Sequence, residues 1–221
     1  MIVSMMPIRA AEKGCLEEVD LKTVARIHER NLKQSFLATL GEGFLIEMYR
    51  AIDVCPSSVL FVERDPAGLP IGFVSGAIGM GPIYRTMLRR LHVLPFVMVP
   101  SLRSPRHMRC TLEILYYSAR AKAHTPAAAG RASGFAPPTA ELLSIAVEPS
   151  ARSSGAAARL YATLVTHFRA QGQSAFRIVV GEALEAAHRF YRKMGAEPIA
   201  TTELHKGERS TIYVQSLGDW K

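Results

Sequence analysis

The stretch from Leu142 to Leu160 constrains this chain more than any other. Leu142–Val147 reads as a buried strand, and Glu148-Pro149 turns the chain. The run Arg152-Ser153-Ser154-Gly155-Ala156-Ala157 then opens a helix. A helix start has unpaired backbone N–H groups and a dipole that favours negative charge. Small side chains let a phosphate reach those groups, and Arg152 adds a charged donor. No Gly-Lys-Ser/Thr follows, which excludes a Walker loop, and no G-x-G-x-x-G is present, which excludes a dinucleotide fingerprint. The helix runs Ser154–Gln171, with Leu160, Leu164, Val165 and Phe168 on one side and Gly172 at its end. A strand at Ser174–Val180, a helix at Leu184–Met194 closed by Gly195, and a hairpin of Glu197–His205 and Arg209–Leu217 follow. This order predicts a βαβ unit inside a mixed sheet.

Upstream, Met5–Ile8 reads as a short strand. Asp20 is placed to cap a helix whose apolar positions are Leu21, Val24, Ile27 and Leu32. A second helical pattern follows Gly41 and Gly43 through Phe44, Leu45, Met48, Tyr49 and Ile52. Ser58–Glu63 and Ile71–Ile78 form a hairpin around Asp65-Pro66-Ala67-Gly68.

Charge divides the chain unevenly. The net charge of +8 lies entirely in Gly79–Pro138, which has 9 basic residues and one acid, Glu113. The flanks cancel. This segment predicts an inserted helical pair, with stripes at Ile83, Tyr84, Met87, Leu88 and Leu91 and at Met108, Leu112, Leu115 and Ala119. Pro95, Pro100 and Pro105 interrupt it, and Thr125–Pro138 reads as a linker. The 221 residues suffice for one large core, read as a single domain over 1–221 with 79–138 inserted. Cys15, Cys55 and Cys110 have no metal-like spacing, so no metal is expected, and an odd count speaks for a reducing, cytoplasmic setting. No signal peptide is read at Met1–Ala10, and the longest apolar run, Leu91–Val99, is far short of the roughly 20 residues of a membrane span.

The run Arg152–Ala157 resembles the R/Q-x-x-G-x-G/A loop of the GNAT N-acetyltransferases. A second segment, Ala187-His188-Arg189-Phe190-Tyr191-Arg192-Lys193-Met194-Gly195-Ala196, resembles that family's A-x-x-F-Y-x-K-x-G-F helix. The order of elements in both flanks agrees. The resemblance implies an α/β fold. Its sheet is mixed and mostly antiparallel, with a central βαβ unit and the helical insertion between hairpin and cofactor strand. It also implies acetyl-CoA as co-substrate and acetyl transfer to an amine by direct attack. Ile145, Ala146 and Val147 would then meet pantetheine, and Arg152, Ser153, Ser154, Gly155, Ala156 and Ala157 the pyrophosphate. Tyr191 aligns with the tyrosine that protonates the departing sulfur. Glu141 sits where some members place a basic glutamate, and strand parity puts it with Leu143, Ile145 and Val147. His188, one turn before Tyr191, reads as a satisfied or surface histidine.

The sequence departs from the family at Leu184, where Asn is common, and at Ser153 and Ala157, where Gly is common. Gln34, Ser35 and Phe36 lie in the region that lines the family's acceptor site. With the basic segment and Tyr84, Tyr116 and Tyr117 beside it, a small anionic amine such as a nucleotide-linked amino sugar is the expected acceptor. Alternatives are a protein or peptide amine, a membrane-associated enzyme docking through 79–138, and a CoA-binding regulatory module without turnover. The apolar insertion leaves a homodimer open. Nucleic acid is not expected as a partner, because no reader motif is present.

Overall fold

The computed structural model describes residues 14, 16–33, 36–88, 138–205 and 208–218. The expected strand at Met5–Ile8 and the basic segment beyond residue 88, with Tyr116 and Tyr117, lie outside them.

Helix α1 (Glu18–Asn31) buries Leu21, Val24, Ala25, Ile27 and His28 along one face. Asp20 is not its cap. Glu17 precedes the helix, and the Asp20 carboxylate accepts a 2.7 Å hydrogen bond from Arg64 Nη2 instead. A 3₁₀ turn (Phe36–Leu40) leads to α2 (Glu42–Val54). Strands β1 (Ser58–Arg64) and β2 (Pro70–Ile78) form the expected hairpin. Its turn is closed by Asp65 Oδ1, which accepts from the N–H groups of Ala67 and Leu69 at 2.9 Å each. Helix α3 (Gly81–Leu88) is the described start of the basic segment.

Strand β3 (Ala140–Val147) and a 3₁₀ turn at Pro149–Ala151 precede α4 (Ala156–Ala170). Then come β4 (Ala175–Gly181), α5 (Glu185–Lys193), β5 (Glu197–His205) and β6 (Glu208–Ser216). Both helices end in Schellman motifs. Gln173 and Gly172 donate to Phe168 and Arg169 after α4, and Ala196 and Gly195 donate to Tyr191 and Arg192 after α5.

The six strands lie in the order β1-β2-β3-β4-β6-β5. Every neighbouring pair is antiparallel except β3 and β4. Two apolar layers cover the sheet, as its alternation requires. On one face Val59, Phe61, Val74, Leu142 and Phe176 pack under α4 and α5. On the other, Leu60, Phe73, Ala77 and Ala146 pack under α1, α2 and α3.

Helix α4 comes close to the sheet because β2 presents Gly72 and Gly76 to it. A Cβ on Gly76 would lie 2.7 Å from Leu164 Cδ1 and 2.8 Å from Phe168 Cζ, both side chains fully buried. Leu160, Leu164 and Phe168 are each worth roughly 1.5–3 kcal/mol of burial at this interface. Gly76→Ala is therefore expected to overpack it and cost about 1–3 kcal/mol, read as a lower denaturant midpoint in equilibrium unfolding.

Candidate active site

The site is built where the two parallel strands part. Only Ala140, Glu141 and Leu142 of β3 pair with Phe176, Arg177 and Ile178 of β4. Beyond these, β3 stays with β2 to Val147, and β4 stays with β6 to Gly181. Main-chain groups in an antiparallel ladder alternate sides. Glu148 N–H donates to Ile71 at 2.8 Å, so Ser144, Ala146 and Glu148 bond toward β2. The N–H and C=O groups of Ile145 and Val147 therefore face the opening. Across it, Glu182 N–H donates to Arg209, which leaves Val179 facing the same gap. An extended chain of amides fits between them as a strand would.

The opening starts at a bulge. Ser75 pairs with Ser144 and Gly76 with Leu142, so Leu143 has no partner on β2. The extra residue reverses the alternation. Glu141 was expected to share a face with Leu143, Ile145 and Val147. Instead Leu143 and Ala146 pack toward α1 and α2, while Ile145 and Val147 pack toward α4. Glu141 itself is ion-paired with its register partner: Oε2 accepts from Arg177 Nε at 2.9 Å and Nη2 at 2.6 Å. Helix α3 brings Tyr84 within electrostatic reach of this carboxylate. Burial first, and then the Glu141 charge, push the Tyr84 phenol up.

Beyond β3, Ser153 and Gly155 both adopt positive φ, +66° and +80°. Among the described residues, no acceptor reaches the N–H groups of Ser153, Gly155, Ala157 and Ala158. They form a cluster of free donors at the start of α4, as an anion requires. Ser154 is committed to the loop itself. Its hydroxyl donates to Ala151 C=O at 2.7 Å and accepts from Ala156 N–H at 3.3 Å. Arg152 is exposed and donates to Asn31 Oδ1 at the end of α1, at 2.8 Å. The donor set and the open strand edge thus fit an acyl-CoA: strand pairing for its amide arm and free N–H groups for its phosphates.

Tyr191 lies under the sheet beside Tyr161 and Tyr213, with ring centroids 6.1 and 6.2 Å away. Burial pushes its phenol up. Tyr161 bonds Gln215 and Tyr213 bonds His188, whereas the Tyr191 hydroxyl makes no such bond among the described residues. His188 is satisfied. Its Nε2 donates to Gly181 C=O at 3.1 Å, so Nδ1 accepts the Tyr213 hydroxyl at 2.9 Å. Leu184 occupies the residue before α5 and is exposed. Gln34 and Ser35 lie outside the described residues, and Phe36 contributes only its backbone position at the start of the 3₁₀ turn. An open depression along α5, lined by Glu182, Glu185, His188, Arg189, Arg192 and Thr211, includes no residue of β3 or of the loop at 152–158.

The model of the acetyltransferase (GNAT) family matches residues 113–196. Residues 113–196 thus match a GNAT acetyltransferase domain. That family consists of acyl-CoA-dependent N-acyltransferases, and the match contains both the loop and the Tyr191 segment. Solved structures share the fold over nearly the whole chain. SsHAT aligns with a TM-score of 0.55 at 20% identity, covering 97% of this chain and 98% of its own. An N-acetyltransferase from Staphylococcus aureus Mu50 aligns with 0.55 at 15%, covering 92% and 96%. Naa20 from Chaetomium thermophilum, in complex with a bisubstrate analogue, aligns with 0.53 at 15%, covering 91% and 84%. No curated protein matches the chain in sequence. No helix among the described residues is long and apolar enough to cross a membrane.

Beneath the opening runs a buried polar chain that the sequence did not reveal. The Tyr49 hydroxyl lies 2.6 Å from His28 Nδ1 and bonds the Ser144 side chain at the bulge. His28 is 1% exposed, and burial lowers its pKa from 6.5 to about 4. The unfolded chain therefore binds a proton that the folded chain refuses. Stability is complete above pH 6.5 and is lost as the pH falls from 6.5 to about 4, by roughly 3 kcal/mol from this group. His28→Gln should remove that component, measured as a flatter dependence of unfolding free energy on pH across this window.

Proposed function

We propose that this GNAT domain moves an acetyl group from acetyl-CoA to a primary amine by direct attack. The observation that carries the reading is the opening between β3 and β4 beside four free N–H groups at the start of α4. Acetyl-CoA supplies a thioester carbonyl carbon to the amine. Ile145 and Val147 offer strand pairing to its amide arm, with Ala146 packed between them toward α1 and α2. The N–H groups of Ser153, Gly155, Ala157 and Ala158 take the phosphates, Ser154 and Ala156 hold the loop, and Arg152 adds charge once it leaves Asn31.

The amine must lose a proton before it bonds to carbon. Glu141 is the proposed base, through the carboxylate oxygen that Arg177 leaves unbonded. Its separation from the Ile145 face sets it toward α1, α2 and α3, the side on which the acceptor would enter. Tyr191 is the proposed donor to the sulfur as the carbon–sulfur bond breaks. With its pKa pushed up, the phenol stays protonated at neutral pH. Full transfer to a thiolate of lower pKa is uphill, so it acts by donating a hydrogen bond to developing negative charge.

The acceptor proposed is a small anionic amine, met by the basic segment 79–138 and by residues around Gln34, Ser35 and Phe36. Tyr84 on α3, close to Glu141, supports the idea that this segment begins at the acceptor side.

Titration calorimetry with CoA, followed by thiol release from acetyl-CoA across a panel of anionic, neutral and cationic amines, tests the reading. CoA should bind, and anionic amines should give the fastest release. Tyr191→Phe should lower kcat by about a hundredfold with little change in KM for acetyl-CoA. Binding without any thiol release would instead make the chain a non-catalytic CoA module.

A further inference from the structure

Glu63 on β1 is a carboxylate whose side chain is only 8% exposed, and nothing in the catalytic reading uses it. Its Oε1 accepts two hydrogen bonds from Arg159, from Nε at 2.9 Å and Nη2 at 2.6 Å. Its Oε2 is buried and has no hydrogen-bond partner among the described residues. A buried carboxylate held on one oxygen is costly unless the pair fixes something else. What it fixes is the third guanidinium nitrogen. Arg159 Nη1 donates to Ser154 C=O at 2.8 Å and lies 3.2 Å from where a Gly155 Cβ would be.

Ser154 and Gly155 are the centre of the loop with the free N–H groups. The planar fork of Arg159 spans 96 residues of sequence, from a sheet strand to that loop. A guanidinium can bridge in this way because its donors are rigidly disposed, whereas an ammonium cannot. One face of Ser154 is thus anchored to the sheet through Arg159. Its hydroxyl ties the other side to Ala151 and Ala156. The Ser153 φ of +66°, unfavourable for a residue with a Cβ, is held by this over-determined loop.

We propose that Glu63 and Arg159 are positioning residues for CoA binding: the ion pair sets the Ser154 carbonyl, and through it aims the N–H groups of Ser153, Gly155, Ala157 and Ala158 at the phosphates. The inference rests on the assignment of acyl-CoA to this cleft. Arg159 then contributes geometry rather than charge, since Glu63 neutralises it. The opposite possibility, a direct phosphate ligand, predicts the opposite sign for loss of Glu63, because the guanidinium would be released toward the ligand.

Calorimetric titration of CoA into the full chain separates the two. Glu63→Gln, Arg159→Lys and Arg159→Met should each weaken CoA by about tenfold, the cost of one misplaced charge-assisted hydrogen-bond set. The double variant Glu63→Gln/Arg159→Met should bind no worse than Arg159→Met alone, since both act through one contact. Phe168→Leu, which loosens the α4 core without touching the loop, should lower the melting temperature and leave CoA affinity unchanged. The proposal is overturned if Glu63→Gln binds CoA as tightly as wild type or more tightly. It is also overturned if Arg159→Lys matches wild type, or if losses add in the double variant. Wild type that fails to bind CoA removes the cleft assignment, and the proposal with it. Wild type that binds alongside unaffected variants removes the proposal alone.

Discussion

Between β3 and β4 only Ala140–Leu142 and Phe176–Ile178 are in register, and each strand otherwise keeps its outer neighbour. That short parallel contact joins the two halves of the sheet. It also sets where they part. The Glu141–Arg177 pair sits in its middle, so an ion pair across the junction involves the proposed base. Immediately beyond, the bulge at Leu143 turns β3 with β2 and away from β4. The opening is therefore a property of strand pairing. The helices on either face cover it without having to create it.

Much of this was legible in the sequence because it is written in local chemistry. The small residues from Ser153 to Ala157 announced a helix start stripped of side chains, and the free N–H groups are there. Gly172 and Gly195 announced helix ends, and both end in Schellman motifs. What escaped is written in pairing between distant residues. A bulge is invisible to alternation, so the parity argument placed Glu141 with Ile145 and Val147 when one extra residue had moved it to the other face. Asp20 looked like a cap because it precedes an apolar stripe, but Arg64, 44 residues away, takes its carboxylate. Nothing in the sequence pattern singles out Glu63, Arg159 or Arg177. Only register and packing bring them to the loop and to Glu141.

Charge is organised by the same separation. The +8 of the chain lies in 79–138, while the charges around the proposed cofactor loop are paired: Arg159 with Glu63 and Arg30 with Glu148. Phosphates would thus meet oriented backbone dipoles rather than a basic field, a short-range and weakly screened form of recognition. The basic excess is then available to the proposed anionic acceptor. Arg152 is tied to Asn31 at the end of α1, so a phosphate that engages Arg152 must displace that bond.

The most direct test of the account is amide hydrogen exchange, resolved residue by residue, with and without CoA. An arm that pairs with β3 as a strand should slow exchange at the Ile145 and Val147 amides, which face the opening, and at Ser153, Gly155, Ala157 and Ala158. Ser144 and Ala146, already bonded to β2, should change little. CoA that binds while Ile145 and Val147 exchange as fast as before would contradict the claim that the parted strands form the cofactor site.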